Sequence, residues 1–165
     1  MRYFGGIDPG LKGGMAIVDS DGLLVSWEKM PFGDDGFPNH ARLKLFFMDC
    51  AHVAIEVQHI RMMQAGASTT MVNYGYILGC LSSHPIVHAA PLEWLKWIHG
   101  EEYKKIAGAD KKKQRKLATA KKIQDRFPSQ IRPNIGDGIT DSIAIALWCR
   151  RLRFSDSVGR FLFTS

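Results

Sequence analysis

The 165-residue sequence predicts an α/β protein built on a mixed five-stranded sheet with flanking helices. Three observations carry that prediction. Short apolar runs bounded by Gly, Pro and Asp recur through residue 89, as buried strands do. Asp21-Gly22 lies between two such runs and favours a tight antiparallel hairpin, so the chain opens as a three-stranded antiparallel meander. From residue 40 onward, helical spacing alternates with apolar runs, which joins the later strands through helices. With 45% hydrophobic residues the chain is long enough to bury one core of ordinary size, and a single domain over 1–165 is expected.

Taken in order, residues 2–8 form a strand that ends at Asp8, because Pro9-Gly10 favours a turn over a continued ladder. Residues 13–19 form the second strand, Ser20-Asp21-Gly22 the turn, and 23–29 the third strand. A Gly- and Asp-rich loop covers 31–38, and Leu43, Phe46 and Phe47 at helical spacing predict a helix over 40–50. Residues 53–57 read as a fourth strand and 62–82 as a long helix punctuated by Gly66, Gly75 and Gly79. Gly75 and Gly79 share a face that lets another helix come close, within the monomer or across a dimer. A fifth strand over 85–89 leads to Pro91, which starts a short helix carrying Trp94, Lys96 and Trp97. A Gly-containing loop then runs to Asp110, and a helix over 111–126 has Leu117, Ala120 and Ile123 as its buried side. After a linker over 127–136, an apolar helix opens with two acids, Asp137 and Asp141.

The net charge of +6 sits in one segment. Between residues 99 and 126 there are ten Lys or Arg against four acids, while the rest of the chain carries twelve of each. A localised basic loop and helix is the footprint of a nucleic-acid partner, since each phosphate it neutralises releases counterions; its bland reading is a solvated helix face. Cys50, Cys80 and Cys149 are widely spaced in apolar surroundings, as reduced core thiols are. No apolar run reaches membrane-spanning length and no signal-like block opens the chain, so a soluble, cytoplasmic protein with no membrane partner is expected.

The acids carry the chemistry. Asp8 closes a buried strand, and burying a lone carboxylate costs several kcal/mol unless it is paired. Either it bonds its own turn, as Asp-Pro-Gly aspartates do, or it shares a cation with other acids. Glu56 repeats the anomaly on the fourth strand, with an edge position as the alternative. Asp137 and Asp141 are four apart, on one helix face; Asp137 also suits a cap, and Asp141, a turn further in, suits a site. Oxygen ligands without a His-Cys cluster suit Mg²⁺ or Mn²⁺ rather than zinc.

Gly6-Ile7-Asp8-Pro9-Gly10, Ala54-Ile55-Glu56 and Asp141-Ser142-Ile143-Ala144-Ile145-Ala146 resemble, in order and separation, the motifs of the RuvC family of Holliday junction resolvases, with a phage- or viral-type member as one form. The resemblance implies a ribonuclease H-like fold and a homodimer that resolves four-way DNA junctions by paired nicks. It also implies Mg²⁺ or Mn²⁺, two ions per site, and no small-molecule cofactor. It makes Asp8, Glu56 and Asp141 three of four metal-binding acids. The family's fourth acid falls at Gly138 here, so Asp137, one residue earlier, is the candidate substitute. By position Lys96 matches a lysine the family keeps near the scissile phosphate, and one of Lys111, Lys112 and Lys113 matches a second. The family's aromatic wedge is missing, since residues 57–73 hold no Phe, Tyr or Trp; His59, Ile60 and Met62 are the candidates in its place. A phage- or virus-encoded protein would work in the host cytoplasm.

The mechanism implied is in-line phosphodiester hydrolysis between two metals. Lys96 offsets charge on the phosphate, and the basic segment, with Lys111, Lys112, Lys113, Arg115 and Lys116, grips backbone without reading bases. Two other classes stay open: a nuclease acting on RNA:DNA hybrid, which would contact 2′-hydroxyls, and a non-catalytic junction binder, which the buried-strand acids argue against because unmetallated carboxylates repel DNA. A kinase-like phosphate-binding module would need a second lobe.

Overall fold

The structure is a computed structural model that describes residues 1–58, 67–106 and 110–161, with the backbone alone at 67–68 and 154–161. The meander forms as expected from β1 (Tyr3–Asp8), β2 (Gly14–Asp19) and β3 (Leu24–Lys29). Its hairpin closes at Asp19, whose carboxylate accepts from the Asp21 and Leu23 amides at 2.9 Å each, with Gly22 at φ +80°. Helix α1 (His40–Phe47) is capped by Asn39, whose side chain accepts from the Arg42 amide at 2.9 Å. It stops short of the expected residue 50 because Cys50 already belongs to β4 (Cys50–Glu56). Next come α2 (Ala67–Cys80), β5 (Ile86–Ala89), α3 (Pro91–His99), α4 (Glu102–Lys105), α5 (Lys111–Arg126) and α6 (Asp137–Phe161). The one-turn α4 falls where the sequence reads as loop.

The sheet order is β3-β2-β1-β4-β5, with β1 to β3 antiparallel and β1, β4 and β5 parallel. Strand alternation divides the core into two layers. Ile7, Met15, Val53 and Ile55 pack towards α1 and α2, while Phe4, Ala16 and Ala54 face a cluster that includes Trp94, Ile123 and Ile143 of the later helices. Because side chains alternate, Asp8 after Ile7 and Glu56 after Ile55 both fall on the α6 side. Helix α6 lies hard against that face. A methyl group at Gly6 would stand 2.2 Å from the Ser142 carbonyl oxygen, and one at Gly138 would stand 2.1 Å from the Lys12 carbonyl oxygen.

Two expectations change. Leu117 is 63% exposed instead of buried, because α5 turns Thr119 and Ile123 inward. The hydrogen bond between His99 and Thr119 at 3.0 Å and the ion pair between Lys122 and Glu102 at 2.7 Å hold that flank to α3 and α4, which leaves Leu117 on the open side. Gly75 and Gly79 face open space, so no helix of the described chain uses their close-approach face.

Candidate active site

Asp8 and Glu56 close adjacent parallel strands, where the Ile7–Ile55 register continued by one step sets them side by side. Gly13 and Gly138 form an isolated bridge that pins the start of α6 to the loop after β1. One turn into that helix, Asp141 is buried to 9% exposure and feels the charges of both strand acids. The three carboxylates line one cleft of about 790 Å³, together with Lys12, Gln58, Trp94 and the first two turns of α5.

The electrostatics follow from this crowding. Burial, then the charges of Asp8 and Glu56, hold the Asp141 carboxyl well above the usual range. Burial and the neighbouring Asp8 push Glu56 up to about 7, against the hydrogen bond from Trp94 and the charges of Lys116 and Lys112. Asp8 is raised by burial too, partly offset by the Gly10 amide, which donates to its carboxylate at 3.2 Å. The turn bond and the shared site therefore coexist at Asp8. The Trp94 indole N–H donates to Glu56 Oε1 at 3.1 Å and so holds one oxygen of that carboxylate in place.

Lys116 of α5 is the lysine that the fold brings among the acids. It donates to Asp137 and feels Asp141 and Asp8; burial alone would lower its pKa, but these acids raise it. The Asp137 carboxyl is lowered, first by Lys116 and also by the amides of Asp137 itself and Gly138, so it combines a cap with an ion pair. Lys111, Lys112 and Arg115 line the same cleft, with Arg115 stacked 4.2 Å over the Tyr103 ring. Lys113 faces a neighbouring groove. Lys96 is exposed on α3; from that helix the cleft wall takes Pro91, Trp94 and Leu95. His59, Ile60 and Met62 lie outside the described residues. Sequence reasoning missed Lys12 and the Trp94 bond; the one signal for Lys12 was a basic residue in the loop directly after Asp8.

The donor set fits a hard divalent cation. Asp8, Glu56 and Asp141 are buried carboxylates with raised pKa values, Asp137 stands beside them, and no His or Cys among the described residues lines the cleft, so the ligand atoms offered are oxygens. Among the described residues no group of three or more His, Cys, Asp or Glu is arranged to hold a metal ion as it stands. The Lys116 ammonium takes part of the compensating role instead.

The sheet order and flanking helices are those of the fold seen in solved RuvC structures. The chain superposes on the Thermus thermophilus RuvC structure with a TM-score of 0.65 at 19% identity, covering 93% of this chain and 97% of that one. T. thermophilus RuvC in complex with a Holliday junction substrate gives 0.64 at 18% identity, over 95% and 96%. The fowlpox virus Holliday junction resolvase gives 0.51 at 17%, over 94% and 99%. No family model and no curated protein matches the chain. At these identities the likeness establishes the fold.

Proposed function

We propose that this protein is a divalent-metal-dependent endonuclease that resolves branched DNA, four-way junctions above all, by phosphodiester hydrolysis. The observation that carries the reading is the convergence of Asp8, Glu56 and Asp141 in a cleft whose other wall is the basic face of α5. The solved RuvC complex with a Holliday junction substrate supports the choice of DNA. Asp8, Glu56 and Asp141, with Asp137 at the rim, would hold two Mg²⁺ or Mn²⁺ ions. Bound there, the ions supply Lewis acidity and acidify water at neutral pH. Lys116 offsets charge developing on the phosphate, while Lys111, Lys112 and Arg115 hold the backbone around it. Trp94 keeps Glu56 oriented.

Paired nicks need two sites, and α2 offers a surface for a second copy. Met71, Val72, Gly75, Tyr76 and Gly79 recur at helical spacing on its exposed side. Sedimentation with junction DNA at micromolar protein is expected to show a dimer, and a monomer there would remove the pairing.

The deciding experiment compares Asp8→Asn with the parent on matched four-way, three-way, flap, duplex and RNA:DNA hybrid substrates. The variant is expected to bind the four-way junction and not cut it. Near-parent cutting in Mg²⁺ would refute the site, and preferential cutting of the hybrid would move the substrate to the other class.

A further inference from the structure

Helix α5 stands between two grooves. One is the catalytic cleft. The other, about 850 Å³, lies along the opposite flank of α5, between it and the segment over 133–137 that leads into α6. The two share Lys112, Lys116 and Asp137, so the Lys116–Asp137 ion pair is the partition between them. Lys113 and Lys121 stand on the rim of the second groove, and Leu117, Ala120, Pro133 and Ile135 line it with apolar surface. Asp110 and Asp137 are its acids, and Asp137 is already paired with Lys116.

These features select a ligand. Basic rims over an apolar wall suit single-stranded nucleic acid, whose phosphates track the lysines while base faces rest on carbon. Continuity with the cleft says which strand. A chain whose phosphate sits among Asp8, Glu56 and Asp141 reaches the second groove by passing Lys112 and Lys116. Leu117, 63% exposed on a helix whose other flank is buried, is then a contact surface.

We propose that the second groove is a subsite for the strand being cut, holding the nucleotides next to the scissile phosphate in unpaired form, with phosphates on Lys113 and Lys121 and bases against Leu117 and Pro133. Resting on the nuclease reading above, it adds a strand path and a place where unpaired nucleotides at the branch are held.

Site-directed photocrosslinking tests it on the full chain. The native thiols are buried, and Cys50 and Cys149 are pushed up to about 12, so an introduced cysteine takes an azidophenacyl probe selectively. Lys121→Cys and, separately, Lys12→Cys are placed in the Asp8→Asn background and bound to a four-way junction. The Lys12 probe is expected to mark the nick position. The Lys121 probe is expected to mark the same strand within a few nucleotides, on one side only. Crosslinks from position 121 to another strand, along duplex arms, or to nothing while the Lys12 probe marks the nick position overturn the subsite and leave the nuclease reading standing. Failure of both probes removes both. Leu117→Ser, at an exposed position, is expected to weaken junction binding about fivefold, and the effect should vanish when the flanking nucleotides are abasic; unchanged binding in Leu117→Ser also overturns the subsite.

Discussion

Replacing Glu56 by Gln should make the metal-free protein more stable at neutral and alkaline pH while abolishing cleavage. The side chain keeps its shape and an oxygen for the Trp94 indole, and loses only its charge. In the folded chain burial and Asp8 raise the carboxyl from 4.5 to about 7. At about 1.4 kcal/mol per pH unit that gap corresponds to about 3 kcal/mol. The sign follows from which state holds the proton. Below pH 4.5 the group is protonated folded and unfolded alike, and it costs nothing. Between 4.5 and 7 the unfolded chain releases the proton while the folded chain keeps it, so stability falls as pH rises, and above 7 the whole penalty is present. Glu56→Gln escapes it. For a protein of this size about 3 kcal/mol moves the melting temperature by roughly 6–12 °C. Thermal melts in chelator at pH 4.5, 6 and 8 should show the variant level with the parent at the lowest pH and well above it at the highest. A variant no more stable than the parent at pH 8, or a difference that does not close on acidification, would refute the account of Glu56 as a buried, incompletely compensated acid.

Trp94→Phe keeps a buried ring but removes the donor to Glu56, so Mn²⁺ affinity measured by calorimetry without DNA should fall about 10- to 100-fold with little change in fold; unchanged affinity would deny Trp94 a positioning role. Asp137→Asn keeps a capping side chain but breaks the pair with Lys116, so cleavage should fall by orders of magnitude and its Mg²⁺ dependence move to higher concentration, at nearly constant melting temperature. Unaltered Mg²⁺ dependence beside a dead Asp141→Asn would leave a three-carboxylate site. Gly138→Asp restores the acid where the RuvC-like motif has it, yet its Cβ would overlap the Lys12 carbonyl, so denaturant melts should show a loss of at least about 2 kcal/mol and no gain in activity. Parent-like stability would mean that α6 and the loop after β1 are not so closely packed.

Much of the fold was legible because it is local. The Asp-Gly hairpin, the stop at Pro9-Gly10 and the apolar runs are each set by a few neighbouring residues, and those runs already marked Asp8 and Glu56 as lone acids on otherwise apolar strands. Three motifs in order pointed to the RuvC-like fold, and the charge surplus over 99–126 to the helix that lines the cleft opposite the acids. What needed three dimensions was every relation across chain distance. Parallel pairing of β1 with β4 sets Asp8 beside Glu56, and the backbone contact of Gly138 with Lys12 both aims Asp141 at them and leaves no room for an acid at 138. The face that α5 turns to the cleft makes Lys116 the interior lysine and leaves Leu117 outward, while α3 turns Trp94 inward and leaves Lys96 on the surface. Apolar spacing records that a helix has a buried side, but the direction of that side is decided by which partners reach it first, here His99 and Glu102, and those partners lie on other helices.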